Sequence, residues 1–79
     1  MFQVIAEGQP LDAEFNLPIA AVSRALMLSM GDTASVRVLL EGTIICIAKN
    51  GALSAEDGTE LSPSQAARAA DRVAKAQGR

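Results

Sequence analysis

Four short turn signals divide much of this chain into segments that are too short for anything except strands, and this constrains the fold most. The signals are Gly8-Gln9-Pro10, Glu41-Gly42, Asn50-Gly51 and Asp57-Gly58. Asn-Gly is the strongest of them, because a type I′ hairpin turn needs positive φ at both central positions. The sequence therefore predicts short strands that are joined by hairpins and pair antiparallel.

Alternation of apolar and polar residues places the strands between these turns. Residues 11–16 alternate strictly in this way. Residues 2–7 are predicted to form a strand with Phe2, Val4 and Ala6 on one face, and the two strands are predicted to form a first hairpin. Pro10 and the acidic residues of the second segment are typical of an edge strand. Three further strands are predicted at residues 35–40, 43–49 and 52–55, with an extended stub at 59–61.

Two longer segments carry helix signals. Asn16 is a suitable N-cap for a helix with Pro18 in its first turn and Gly31 as its end. The segment from Ser62 to Gln65 forms a capping box for a second helix that ends near Gln77. We therefore predict an α+β fold: one small domain over residues 1–79, an antiparallel sheet with two helices, in the order β-β-α-β-β-β-α.

The first helix is predicted to be covered on both of its sides. Arg24 is its only charged residue, whereas a surface helix normally has a clear polar face. The predicted core of the domain comprises Val4, Phe15, Ile19, Val22, Leu26, Val38, Ile45 and Ile47. The opposite side of the helix is the predicted partner or dimer interface, formed by Ala21, Ala25, Met27 and Leu28. A domain of 79 residues has little structure left to cover that side, so we expect a second protein, or a second copy, to cover it.

The composition excludes most catalytic and metal-binding chemistry. The chain has no His, Trp or Tyr and one Cys, and His is the commonest general base and metal ligand. Cys46 lies between isoleucines and is predicted to be a small buried hydrophobic residue. The acidic segment 56–60 lacks the ligand spacing of a calcium loop and is predicted to be a solvated turn. Asp12 and Glu14 are predicted to lie about 7 Å apart on one strand face, which we interpret as a solvated face rather than an acid–base pair. We expect no catalytic residue, cofactor or metal, and therefore no enzyme.

Charge is divided unevenly along the chain. Residues 1–60 carry three basic and eight acidic side chains, a net charge of −5, whereas residues 61–79 carry four basic side chains and one acidic, a net charge of +3. Arg68, Arg72, Lys75 and Arg79 follow one line of the second helix. This line is either its solvated face or a contact for phosphates or for an acidic protein.

The leading hypothesis is a small non-catalytic interaction protein, an inhibitor or regulator that binds a larger protein and forms a homodimer. Its size and composition are like those of phage-encoded inhibitors and bacterial accessory regulators, which is an analogy only. A nucleic-acid-associated regulator that uses the basic helix is the alternative, and a carboxylate-based enzyme is a distant third. The segment 1–4 lacks the features of a secretory signal, and the apolar run 44–48 is too short to span a membrane. With a single Cys, this favours the cytoplasm.

Overall fold

The computed structural model describes residues 1–31 and 35–78, which form one six-stranded sheet and two helices. The predicted α+β class and order are confirmed, and the predicted stub at 59–61 forms a sixth short strand. The elements are β1 (Phe2–Ala6), β2 (Leu11–Phe15), α1 (Pro18–Gly31), β3 (Val36–Leu40), β4 (Thr43–Lys49), β5 (Ala52–Ser54), β6 (Glu60–Leu61) and α2 (Pro63–Gly78).

The strands follow the order β2-β1-β3-β4-β5-β6 across the sheet, and each neighbouring pair is antiparallel. Strand β2 is at the edge of the sheet, as Pro10 and its acidic residues predict. The α1 helix connects β2 to β3, so the chain crosses β1 and leaves this first strand inside the sheet.

Backbone conformation confirms two of the predicted hairpins. Asn50 and Gly51 have φ of 53° and 78°, and Glu41 and Gly42 have φ of 51° and 83°. Positive φ at both central residues defines the type I′ turn, whose twist matches that of the flanking strands. A Cβ at Gly51 would also lie 3.0 Å from the Met30 Cγ, so a side chain there would require the exposed Met30 side chain to shift.

Both helices begin where the sequence places them, but only one has the predicted cap. In α2 the Ser62 Oγ accepts a hydrogen bond from the Gln65 N–H at 3.2 Å, and the Ser62 N–H donates to the Gln65 Oε1 at 2.8 Å. These two bonds are the predicted capping box. In α1 the first helical bond runs from the Ala21 N–H to the Leu17 carbonyl. Leu17 rather than Asn16 therefore occupies the N-cap position.

The core lies between the two helices and one face of the sheet. Cross-strand pairs place Val4, Val38 and Cys46 in one row, and Val36, Ala48 and Leu53 in another. All six are buried. The two helices contact each other, and both contribute residues to the hydrophobic core cluster that these rows form. The helices therefore cover one face of the sheet.

Half of the predicted core residues are confirmed. Val4, Val22, Val38 and Ile45 are buried. Phe15 and Leu26 pack against the core but remain partly exposed. The prediction is wrong for Ile19, which is 49% exposed, and for Ile47, which pairs with Arg37 on the other face of the sheet.

The error for α1 has a geometric cause. Its buried residues are Ala21, Val22, Ala25 and Ser29, and at 100° per residue their direction differs by about 90° from the predicted core line. Both Ala21 and Ala25 are fully buried, as are Ala66 and Ala70 in α2. Because alanine allows close packing between elements, α1 places its alanines inward and leaves larger side chains outside.

Candidate interaction surfaces

The outer line of α1 is an exposed and largely apolar surface. Ile19, Met27 and Met30 are 49%, 63% and 67% exposed. Their positions place them on one side of the helix together with exposed Ser23. We call these four residues the α1 stripe. An uncharged line of this kind on the most exposed part of a helix is suited to contact another protein.

Of the four residues predicted to form an interface on α1, only Met27 is exposed, and its role in an interface stays a prediction. Met27 belongs to the α1 stripe, but Ala21 and Ala25 are in the core and are not available on the surface. Leu28 packs partly against the core. The matching spacing of four between alanine pairs in both helices was the signal that the periodicity argument missed.

The face of the sheet away from the helices carries a second apolar surface. Ile5 and Ile47 pair with Arg37 from either side, and Leu39 pairs with Ile44 in the next row. Strand alternation places these side chains opposite the buried rows. Ile5, Leu39, Ile44 and Ile47 are half-buried, and none of them packs against the core cluster. Within residues 1–31 and 35–78, no helix covers this face. We call it the open sheet face.

The positive charge of Arg37 lies in the middle of the open sheet face. Arg37 is exposed, and no ion pair to it occurs in the described part of the chain. Its cross-strand neighbours are Ile5 and Ile47, and Leu39 lies two residues along its own strand. Polar Gln3 and Glu14 lie at one side of the face and bond to each other at 3.2 Å. The face therefore combines aliphatic side chains with one central guanidinium.

The open sheet face was not predicted, although β4 contains a signal for it. Ile44, Ile45, Cys46 and Ile47 are consecutive apolar residues, and such a run fills both faces of a sheet rather than one. A bulge at Val38/Leu39 lets Ile45 and Cys46 both enter the core. Ile44 and Ile47 are left on the other face.

The basic residues of α2 lie on its exposed side. Arg68, Arg72 and Lys75 are exposed, and Ala66, Ala70 and Val73 lie toward the core, as the spacing predicts. Lys75 forms an ion pair with Asp71 at 3.2 Å, one helical turn away. Arg79 lies outside the described residues. The acidic side chain of Asp71 therefore lowers the positive charge of this surface.

The remaining candidates are Cys46, the acidic segment 56–60 and the carboxylates of Asp12 and Glu14. Burial raises the pKa of the Cys46 thiol to about 11, which disfavours the reactive thiolate. Asp57 is exposed and accepts the Thr59 N–H at 2.9 Å, and this bond lowers the pKa of its carboxyl. The segment 56–60 is thus exposed, as predicted, and its turn ends where Glu60 begins β6. The Asp12 side chain is outside the described part, so its predicted position beside Glu14 on a solvated strand face stays a prediction.

Two further findings concern ligands and membranes. Among the described residues, no group of three or more His, Cys, Asp and Glu side chains could hold a metal ion. Neither described helix is long and apolar enough to span a membrane.

Comparison of the chain with protein families, with curated proteins and with solved structures finds no match.

Proposed function

We propose that this protein is a small non-catalytic interaction module that acts in the cytoplasm as an inhibitor or regulator by binding a larger protein. The open sheet face is the observation that carries the proposal. An antiparallel sheet with one covered face normally has polar residues on the other. Here that face presents Ile5, Leu39, Ile44 and Ile47, which do not contribute to the core cluster. Contact with a partner would remove this apolar surface from water.

The test compares two lysine substitutions that add the same charge on opposite sides of the domain. Ile47→Lys introduces a cation in the open sheet face, and Ser64→Lys places one on the exposed start of α2. Tagged wild type and both variants are used to isolate partners, and each candidate partner is then purified and tested for a binary complex. We expect a complex with wild type and Ser64→Lys that Ile47→Lys loses, while its circular dichroism is unchanged. The proposal would be contradicted if Ile47→Lys binds the partner as tightly as wild type does. It would also be contradicted if no candidate partner forms a binary complex with wild type.

We propose in addition that the chain forms a homodimer, through the α1 stripe rather than through the alanines first predicted. Ile19, Met27 and Met30 carry no charge, so the same surface can meet its own copy without repulsion. Methionine side chains adapt readily to such contacts. Light scattering after size exclusion should show a dimer for wild type and for Ala76→Glu, an exposed α2 variant, but a monomer for Met27→Glu. A wild type that stays monomeric at high micromolar concentration contradicts this proposal.

The nucleic-acid alternative is not favoured by the charges. Of the three described basic residues in the α2 line, Lys75 is paired with Asp71, and the chain has a net charge of −2. A binder that used three cations would show a log–log salt slope of about −3. Fluorescence anisotropy with labelled double-stranded and single-stranded nucleic acid should detect no binding at about 150 mM salt. Sub-micromolar binding that the Arg68→Glu/Arg72→Glu variant abolishes would promote this alternative.

A further inference from the structure

We infer that the partner of the open sheet face presents a carboxylate surrounded by aliphatic side chains, and that this carboxylate binds Arg37. The inference rests on the proposed function and specifies the chemistry of the partner. Arg37 is exposed between Ile5 and Ile47, and no acidic side chain pairs with it in the described part of the chain. The occupant that satisfies this arrangement has the complementary charge at the centre and apolar groups around it.

Covering the face with apolar groups alone would be unfavourable. Docking would take the guanidinium out of water, and a buried charge without a partner costs far more than the surrounding apolar contact returns. A carboxylate removes this penalty, because arginine and carboxylate form two parallel hydrogen bonds in one plane. The Arg37 guanidinium thus favours apolar partners that carry a carboxylate, because a partner without one would leave the guanidinium unpaired at the interface.

A second copy of the chain does not fit this face. Arg37 is in β3, the third strand in the order across the sheet, with two strands on one side and three on the other. A two-fold face-to-face dimer would bring the two Arg37 side chains close to its axis, where like charges repel. The face is therefore suited to a different protein, and self-association is assigned to the uncharged α1 stripe.

The partner chemistry is tested with a displayed library of random 12-residue peptides. Selection is carried out in parallel on wild type, Arg37→Gln and Ile47→Lys. We expect wild type to select peptides in which Asp or Glu is flanked by aliphatic residues, and Arg37→Gln to select peptides without this acidic enrichment. A synthetic peptide selected on wild type should bind Arg37→Gln at least about tenfold more weakly than it binds wild type. A variant of this peptide in which the acidic residue is replaced by its amide should lose affinity for wild type to the same extent. If the peptide pairs with Arg37, the two changes combined should cost little more than either one alone.

The outcomes separate the inference from the proposed function. Peptides that require Ile47 but show no acidic preference, or that bind Arg37→Gln as tightly as wild type, would overturn the inference and leave the interaction face in place. Peptides that bind Ile47→Lys unchanged use another surface and would overturn both. The inference is also contradicted if wild type selects no peptide from the library. It is likewise contradicted if Ile47→Lys abolishes self-association, because the open sheet face would then bind a second copy.

Discussion

Removal of one hydroxyl from the interior should measure how firmly α1 is held to the sheet. Ser29 is the buried polar side chain of the described core. Its Oγ donates to the Leu26 carbonyl at 2.9 Å and accepts the Gly51 N–H at 3.0 Å. The second bond joins the last part of α1 to the turn between β4 and β5. In Ser29→Ala the Gly51 N–H loses this acceptor inside the protein.

The expected cost follows from that lost acceptor. Gly51 itself is exposed and this hydrogen bond is part-buried, so water can replace the lost acceptor and the cost is that of an ordinary hydrogen bond, about 0.5–1.5 kcal/mol. The higher helix propensity of alanine returns only a few tenths. We therefore expect Ser29→Ala to lower the free energy of unfolding by about 0.5–1 kcal/mol. Ser23→Ala is the matched control, because it makes the same chemical change in the same helix at an exposed position. It should leave stability unchanged or raise it slightly.

Urea denaturation followed by circular dichroism gives both values, with the slope m checked for constancy. Hydrogen exchange of the Gly51 amide should accelerate in Ser29→Ala and not in Ser23→Ala. If the two variants have the same stability within about 0.3 kcal/mol, the reasoning about this bond is refuted. The same holds if the Gly51 amide stays equally protected in both.

Three other perturbations have defined outcomes. Phe2 is buried and pairs with the partly exposed Phe15. In urea denaturation, Phe2→Ala should lower the free energy of unfolding by about 3–5 kcal/mol, and Phe15→Ala should lower it clearly less. Equal losses of stability would contradict the burial argument. Ser62→Ala removes the cap of α2 and should cost about 0.5–2 kcal/mol, whereas Ser62→Gly should cost a few tenths; the reverse order would contradict the capping role. With a pKa of about 11, Cys46 should be about one part in a thousand thiolate at pH 8 and should react with iodoacetamide far faster in urea than when folded. The pKa of Cys46 is raised from 9.0 to about 11 in the folded state. The protonated thiol therefore contributes to the free energy of unfolding below pH 9, and this contribution is lost as the pH rises toward 11. Cys46→Ala should reduce that loss of stability at high pH.

Local chemistry explains why most of the fold was predictable. The Asn50-Gly51 turn, the edge strand β2 and the Ser62–Gln65 capping box each depend on residues close together in sequence, and the structure confirms all three. The rotation of α1 depends on what packs against it. Apolar periodicity ranks Ile19 above Ala25, but Ala25 allows closer packing and is the buried one.

The candidate site was less predictable for a related reason. The open sheet face exists because Arg37 and Ile47 pair across two strands, with a bulge between Val38 and Leu39 that fixes their register. No local pattern specifies that bulge. The exposed line Arg68, Arg72 and Lys75 was predictable, because it depends only on helical spacing.

The position of β1 between β2 and β3 has a consequence for the order of folding. Strand β1 can pair with β2 at once, because only residues 7–10 separate them, but its other partner β3 follows after residues 7–35. Until β3 arrives, the hairpin presents an unpaired edge that includes Phe2 and Val4. Strands β3 to β6 and α2, by contrast, are each joined to the next by a short connection and can assemble with low loop-closure cost. The pairing of β1 with β3 is therefore expected to be the slow step, and the stage at which the chain is most prone to aggregate.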